Sequence, residues 1–376
     1  MKLLDKQKLE YNILKAAEYD LGNNNLFGSS YFVYQNGNTV LKKHFGTVSP
    51  DGDEKTNDDT MYRLASMTKP VTAVAILILL ERGLISLNDS VSKFLPEFED
   101  IHIITPDGTD MGKTKTDVTV LHCLTHTSGF GSEKVVQMSD KDRKTFLDTI
   151  KYHVNAGLDF EPFTKQAYSG VAAFDVLGAI VEKVTNRDYE EFLKEEIFIP
   201  CNMKDTTFVP SESQWKRFMT MHDKVDGKNS IGVSFENCVF GQYPGSHKLA
   251  GAGLASTLND YSNFAKMLLN NGKAFDRQIV SPQTISAMSL KYLPENLSFG
   301  EGCETWGLGV RVIANDNYKT LPAGSFGWSG AYGSHFWVDR ENDICAVFMK
   351  NSSFDGGAAN RSAQRFEKAV YDALII

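Results

Sequence analysis

A serine and a lysine three residues apart on a helix share one face, roughly 5–6 Å apart, and a lysine kept neutral can strip the serine proton for nucleophilic attack. The chain offers this spacing in Ser66-Met67-Thr68-Lys69, in Ser90-Val91-Ser92-Lys93 and in Ser213-Gln214-Trp215-Lys216. Ser90 and Ser213 stand among Asp89, Lys93, Glu212 and Lys216, the surroundings of exposed caps or turns. Ser66 is different. Pro70 follows it, and then Val71-Thr72-Ala73-Val74-Ala75-Ile76-Leu77-Ile78-Leu79-Leu80, which is apolar nearly all round. Proline is tolerated only in a first helical turn, so a helix over 71–82 begins within a few residues of Ser66. Apolarity on every face marks that helix as buried. Ser66 therefore stands at a helix mouth, where unpaired amides and the positive end of the dipole favour developing negative charge. Burial depresses the Lys69 ammonium in the same place. The predicted chemistry is acyl transfer, with Ser66 as nucleophile and Lys69 as base.

The elements that must hold this pair are legible at both ends of the chain. Residues 1–22 alternate charges with Leu and Ile at helical spacing and read as an amphipathic helix, without the apolar block and cleavage site of a signal peptide. Tyr31 to Gly46 reads as a hairpin through Asn36-Gly37-Asn38. Trp306 to Ala314, Ser325 to Val338 and Ile344 to Lys350 read as strands, and Phe366 to Ile376 as a closing helix. Between them, from about Asn88 to Phe240, the periodicity is helical, as in Val171 to Val184 and Tyr189 to Phe198, and no sheet is expected. The predicted fold class is α/β of the α+β type. A mainly antiparallel sheet from both chain ends is flanked by terminal helices, with a mostly helical lobe inserted. Residues 1–88 and 240–376 form the sheet lobe and 89–239 the helical lobe, with the active site in the cleft between them.

Composition removes other functions. The 376 residues carry 39 Lys and Arg against 47 Asp and Glu, a net charge of −8, so no nucleic-acid partner is expected. The longest apolar run is far short of the roughly 20 residues of a membrane span, so no membrane partner is expected either. Five dispersed cysteines without a C-x-x-C pair suit reduced thiols and a cytoplasmic location.

Four blocks in order resemble the signatures of the serine β-lactamase and penicillin-binding-protein superfamily, closest to its class C-like esterase branch. They are Leu64 to Lys69, then Leu124-Thr125-His126-Thr127-Ser128-Gly129, then Gly251 to Thr257 leading into Asp260-Tyr261, then Phe326-Gly327-Trp328-Ser329-Gly330-Ala331-Tyr332-Gly333. The resemblance spans nearly the whole chain and implies a β-lactamase/transpeptidase-like fold. It also implies a Tyr-x-Asn motif whose phenolate-leaning oxygen relays protons. Tyr34, Tyr168, Tyr243 and Tyr261 all fit some version of it. Tyr168 is preferred, because it lies between the turn Glu161-Pro162-Phe163-Thr164 and a helix starting near Val171. Gly170 stands where the family often has Asn. Trp328-Ser329-Gly330 occupies the position of the family's Lys-Thr-Gly strand and is the expected substrate-binding segment. An indole in place of the lysine suits a neutral ester better than a carboxylate-bearing β-lactam, unless Lys248, His247 or His335 restores the charge. The family pattern carries the oxyanion hole over to the amides of Ser66 and Ala331.

The Gly327 to Ala331 stretch departs from a Gly-x-Ser-x-Gly elbow at its last position. His122 and His126 have Cys123 where a zinc protease needs Glu, and His126 reads as pinning a loop by hydrogen bonds. Gly251-Ala252-Gly253 reads as close backbone packing. No metal and no cofactor is expected. The expected activity is hydrolysis of small carboxylic esters through a Ser66 acyl-enzyme. The alternatives are a β-lactamase or D-alanyl-D-alanine carboxypeptidase acting on β-lactam or D-alanyl substrates, and, in another class, a catalytically weak acyl-binding protein of the same fold.

Overall fold

Asn36 and Gly37 take left-handed backbone angles, φ 50° and 78°, the paired positive values that let a two-residue turn follow the twist of its strands. They join β1 (Gly28–Gln35) to β2 (Asn38–Gly46) with Gln35 opposite Asn38. The structure is a computed structural model and describes residues 1–105, 107–131, 145–225, 228–232, 248–355 and 360–375. Near the C terminus lie β3 (Glu304–Trp306), β4 (Arg311–Ile313), β5 (Phe326–Ser329), β6 (His335–Asp339) and β7 (Ile344–Met349). With the hairpin they form one sheet in the order β3-β4-β5-β6-β7-β1-β2, every neighbouring pair antiparallel.

Three expectations about strands are corrected. The run from Ser325 to Val338 is two strands, because Gly330 and Gly333 (φ 89°) turn the chain between Ser329 and His335. Trp306 to Ala314 likewise folds back at Gly309 (φ 72°) into the β3–β4 pair. The central stretch, expected to hold no sheet, carries two small antiparallel strand pairs, His102–Ile104 with Asp110–Lys113 and His222–Val225 with Lys228–Ile231. Strands of three or four residues are too short for alternation to reveal them.

The helices that matter for the site are α1 (Lys6–Gly22), α2 (Thr68–Glu81), α3 (Ala172–Thr185), α4 (Leu258–Leu269) and α5 (Arg361–Tyr371). The closing helix starts five residues before the expected Phe366, because Asn360 caps it by accepting the Ala363 N–H. Successive strand residues face opposite sides of a sheet, and the core divides accordingly. Tyr31, Val33, Trp337 and Phe348 pack with Leu9, Ile13, Phe366 and Val370 of α1 and α5. Phe32, Trp328, Phe336 and Val347 join the larger core shared by α2, α3 and α4. Every residue of α2 from Thr68 to Leu79 is buried, and at about 1.5–3 kcal/mol for each large apolar side chain that burial anchors its first turn. Among the described residues no helix is long and apolar enough to cross a membrane.

Candidate active site

Ser66 sits in a single 3₁₀ turn, Ala65–Met67, that runs straight into α2. Pro70 is the third residue of that helix and so replaces an amide that has no partner in any case. The turn is fixed from behind. The Leu64 N–H donates to the Leu254 carbonyl at 2.9 Å, the Leu254 N–H to Thr68 Oγ1 at 3.1 Å, and the Tyr261 hydroxyl to the Met67 carbonyl at 2.8 Å. Tyr261, one of the tyrosines matching the relay motif, is thus a buried support of α4. Ala65 takes φ 46°, a conformation that costs a non-glycine residue roughly 1–3 kcal/mol and gathers at functional sites.

Lys69 Nζ lies 3.4 Å from Ser66 Oγ. It also donates to the carbonyls of Gly251 at 2.9 Å and Gly170 at 2.5 Å. Gly170, at the position where the resemblance implies Asn, supplies a backbone acceptor. Gly251 is tightly enclosed: a Cβ there would sit 3.1 Å from the Gly170 carbonyl oxygen and 3.2 Å from Lys69 Nζ, in keeping with the close backbone packing read for that block. Burial brings the Lys69 ammonium down to about 7, and the charge of Asp175 opposes the shift. Asp175 is buried at the start of α3 and accepts the Ala250 N–H at 2.9 Å. Asp175→Asn removes an anion that favours the ammonium while keeping an acceptor for Ala250. The acid limb of the activity profile is expected to move to lower pH, which a titration of kcat/KM measures.

Tyr168 is brought to the same point from a loop before α3. Its hydroxyl is hydrogen-bonded with Ser66 and accepts from Trp328 Nε1 at 3.1 Å. Its ring lies 4.9 Å beneath Lys69 Nζ. Burial pushes the phenol up to about 12 against the two hydrogen bonds, the direction opposite to the phenolate-leaning oxygen that the resemblance implies. Trp306 is 4.6 Å from Trp328 and 5.9 Å from Tyr168, so it walls this corner, whereas Trp337 belongs to the opposite face of the sheet. Tyr243, His247 and Cys238 lie outside the described residues.

The end of β5 closes the site. A Cβ on Gly330 would lie 2.2 Å from the Leu64 carbonyl oxygen and 2.4 Å from Ser334 Oγ, so only glycine lets the strand reach the turn that carries Ser66. Gly330→Ala is expected to cost about 1–3 kcal/mol of stability, read as a lowered thermal midpoint, and to reduce activity in the fraction that folds. Ala331 follows in a turn tied by Gly330 N–H to the Ser334 carbonyl at 2.8 Å, and it packs against the group formed by Ala65 and Tyr332. Ser329, within the expected substrate-binding segment, turns its side chain away from the cleft. It alternates to the other face of the sheet, where its buried hydroxyl meets His335 Nδ1 at 2.7 Å and His335 Nε2 meets Glu367 at 3.0 Å. His335 therefore brings no charge to the cleft, and Lys248 is paired with Asp188 at 2.6 Å.

The profile of the Beta-lactamase family matches residues 15–369. Esterase EstB of Burkholderia gladioli is 27% identical over 396 residues, covering 94% of this chain and 93% of its own. A putative D-alanyl-D-alanine carboxypeptidase of Escherichia coli K12 is 27% identical over 340 residues, covering 85% of this chain and 75% of its own. The solved structure of EstCE1, described as a hydrolase with promiscuous acyltransferase activity, superposes with a TM-score of 0.82 at 21% identity, covering 97% of this chain and 99% of that one.

Proposed function

Because the chain belongs to the Beta-lactamase family, we propose that it is a serine hydrolase that cleaves small carboxylic esters through an acyl-enzyme on Ser66. Ser66 Oγ attacks the ester carbonyl while Lys69, alone or through the Tyr168 hydroxyl, takes the proton. The amides of Ser66 and Ala331 receive the oxyanion, a pair of donors typically supplying ~3 kcal/mol each. Collapse breaks the carbon–oxygen bond, and the proton held by Lys69 leaves with the alcohol through Tyr168. Water then attacks the acyl-enzyme, Lys69 again takes a proton, and the carboxylic acid departs from a restored Ser66. The single observation that carries this reading is an amine brought to about 7 and held 3.4 Å from the serine oxygen. No metal or cofactor enters the scheme. The substrate lies in the cleft between a lobe of residues 1–88 and 240–376 and one of 89–239. Free thiols at Cys123, Cys201, Cys303 and Cys345 fit the cytoplasm.

Trp328 favours a neutral ester, since it offers the cleft an indole at the position where the resemblance implies the lysine of a Lys-Thr-Gly strand. The 27% identity to EstB over nearly the whole chain agrees. The second reading, a β-lactamase or D-alanyl-D-alanine carboxypeptidase, is favoured by the E. coli relative. Initial rates on a short p-nitrophenyl ester, a chromogenic cephalosporin and a D-alanyl-D-alanine peptide rank the two. The ester is expected to exceed both in kcat/KM by at least about 100-fold, and equal or faster cephalosporin turnover would replace the esterase reading with the second one. Trp328→Phe keeps the aromatic wall but deletes the donor to Tyr168, and is expected to lower kcat by roughly 3- to 10-fold, the worth of one such hydrogen bond.

A further inference from the structure

Tyr168 is held on both sides by one residue. The Ala167 N–H donates to the His126 carbonyl at 3.0 Å, and the Ser169 N–H donates to His126 Nδ1 at 3.1 Å. The peptide groups before and after the tyrosine therefore both end on His126. Its neighbour Thr127 takes the Phe163 N–H at 2.8 Å, tying down the start of the same loop. The imidazole also packs 4.6 Å from the Tyr168 ring and 4.3 Å from Trp306.

His126 holds this position at a cost. It takes φ 55°, a left-handed conformation that a side chain disfavours. It is 1% exposed, and its Nε2 has no hydrogen-bond partner among the described residues, an arrangement that is unfavourable in a buried site. Strain and an unmet polar atom on one residue point to a function that outweighs them. We propose that His126 is a positioning residue, a neutral imidazole protonated on Nε2 whose carbonyl and Nδ1 clamp the backbone around Tyr168 and so aim its hydroxyl between Ser66 and Trp328. The tautomer follows from the geometry, since a proton on Nδ1 would set a donor against the Ser169 N–H. Burial and the neighbouring Lys69 both keep the ring uncharged. The clamp rests on the proposed hydrolase reading, because it matters only if Tyr168 relays protons at Ser66.

The test compares His126→Phe, which keeps a packed ring but no acceptor, with His126→Asn, whose carboxamide oxygen falls near the place of Nδ1. Both are assayed with a short p-nitrophenyl ester beside the wild type and Ser66→Ala. His126→Phe is expected to lose about 10- to 100-fold in kcat with KM within about threefold, as a slightly misaimed relay would. His126→Asn is expected to recover at least about fivefold of that loss. A His126→Phe kcat within about twofold of wild type, or no recovery in His126→Asn, overturns the clamp. Nitrogen NMR of histidine-labelled wild type needs no variant to fold. It is expected to find His126 protonated on Nε2 and bare on Nδ1 across the active pH range, and a proton on Nδ1 overturns the clamp. Full activity in Ser66→Ala would instead overturn the hydrolase reading, whatever His126 does.

Discussion

Ser66→Ala is expected to lower hydrolysis of a short p-nitrophenyl ester by at least about 10³-fold, with the thermal midpoint close to that of the wild type. The change removes one oxygen from a side chain whose residue is already 4% exposed, so packing is barely disturbed. The backbone held by Leu254, Thr68 and Tyr261 stays in place, and with it the Ser66 and Ala331 amides. The variant therefore isolates the nucleophile from the rest of the pocket. Whatever rate survives belongs to binding and oxyanion stabilisation, which alone sustain modest catalysis in serine hydrolases that have lost the nucleophile. Steady-state rates with a thermal melt on the same sample check it, and unchanged turnover would remove Ser66 from the mechanism.

Lys69→Met is expected to cost about 10²- to 10⁴-fold in kcat, the range of a positioned general base. Methionine fills a similar volume without a proton acceptor, and it leaves the carbonyls of Gly170 and Gly251 without their buried donor. Lys69→Arg separates these effects. Arginine keeps donors for both carbonyls but stays charged at every accessible pH, so it is expected to be as inactive as methionine if the neutral amine is what matters. The pH dependence follows with a definite sign. Lys69 accepts a proton only when neutral, its conjugate acid is held at about 7, and wild-type kcat/KM is therefore expected to rise with pH through that value and then level off. The residual rate of Lys69→Met is expected to show no such limb, which a pH series on both proteins measures.

The parts of the fold that could be read in the sequence are those encoded locally. Ser66 and Lys69 are joined by one helical turn, so spacing and the apolar run behind them were enough to bring the two together. The Asn36-Gly37 hairpin is local in the same way. Tyr168 is about a hundred residues from Ser66, and only its place in a loop before α3 separated it from Tyr34 and Tyr261. The strand between Ser325 and Val338 was read as continuous because Gly330 and Gly333 lie within an otherwise β-rich run, and that error hid the turn carrying Ala331. Ser329 shows a second limit. Its face of the sheet depends on register, which Trp328 and Phe336 set by packing against the helices. The contacts of Lys69 with the Gly170 and Gly251 carbonyls, and of His126 with the backbone around Tyr168, join distant segments; the sequence reads His126 as pinning a loop, but residue type does not show which loop it holds. Asp175 is masked for another reason, since a carboxylate in the first turn of a helix is ordinary capping chemistry.

The central claim is that Ser66 is a nucleophile activated in place by Lys69. Intact-mass measurement after exposure to a fluorophosphonate tests it most directly. The account predicts one adduct on the wild type, mapped to Ser66 by peptide digestion, slower labelling in Lys69→Met and none in Ser66→Ala. An unlabelled wild type, or equal labelling of Ser66→Ala, would contradict it.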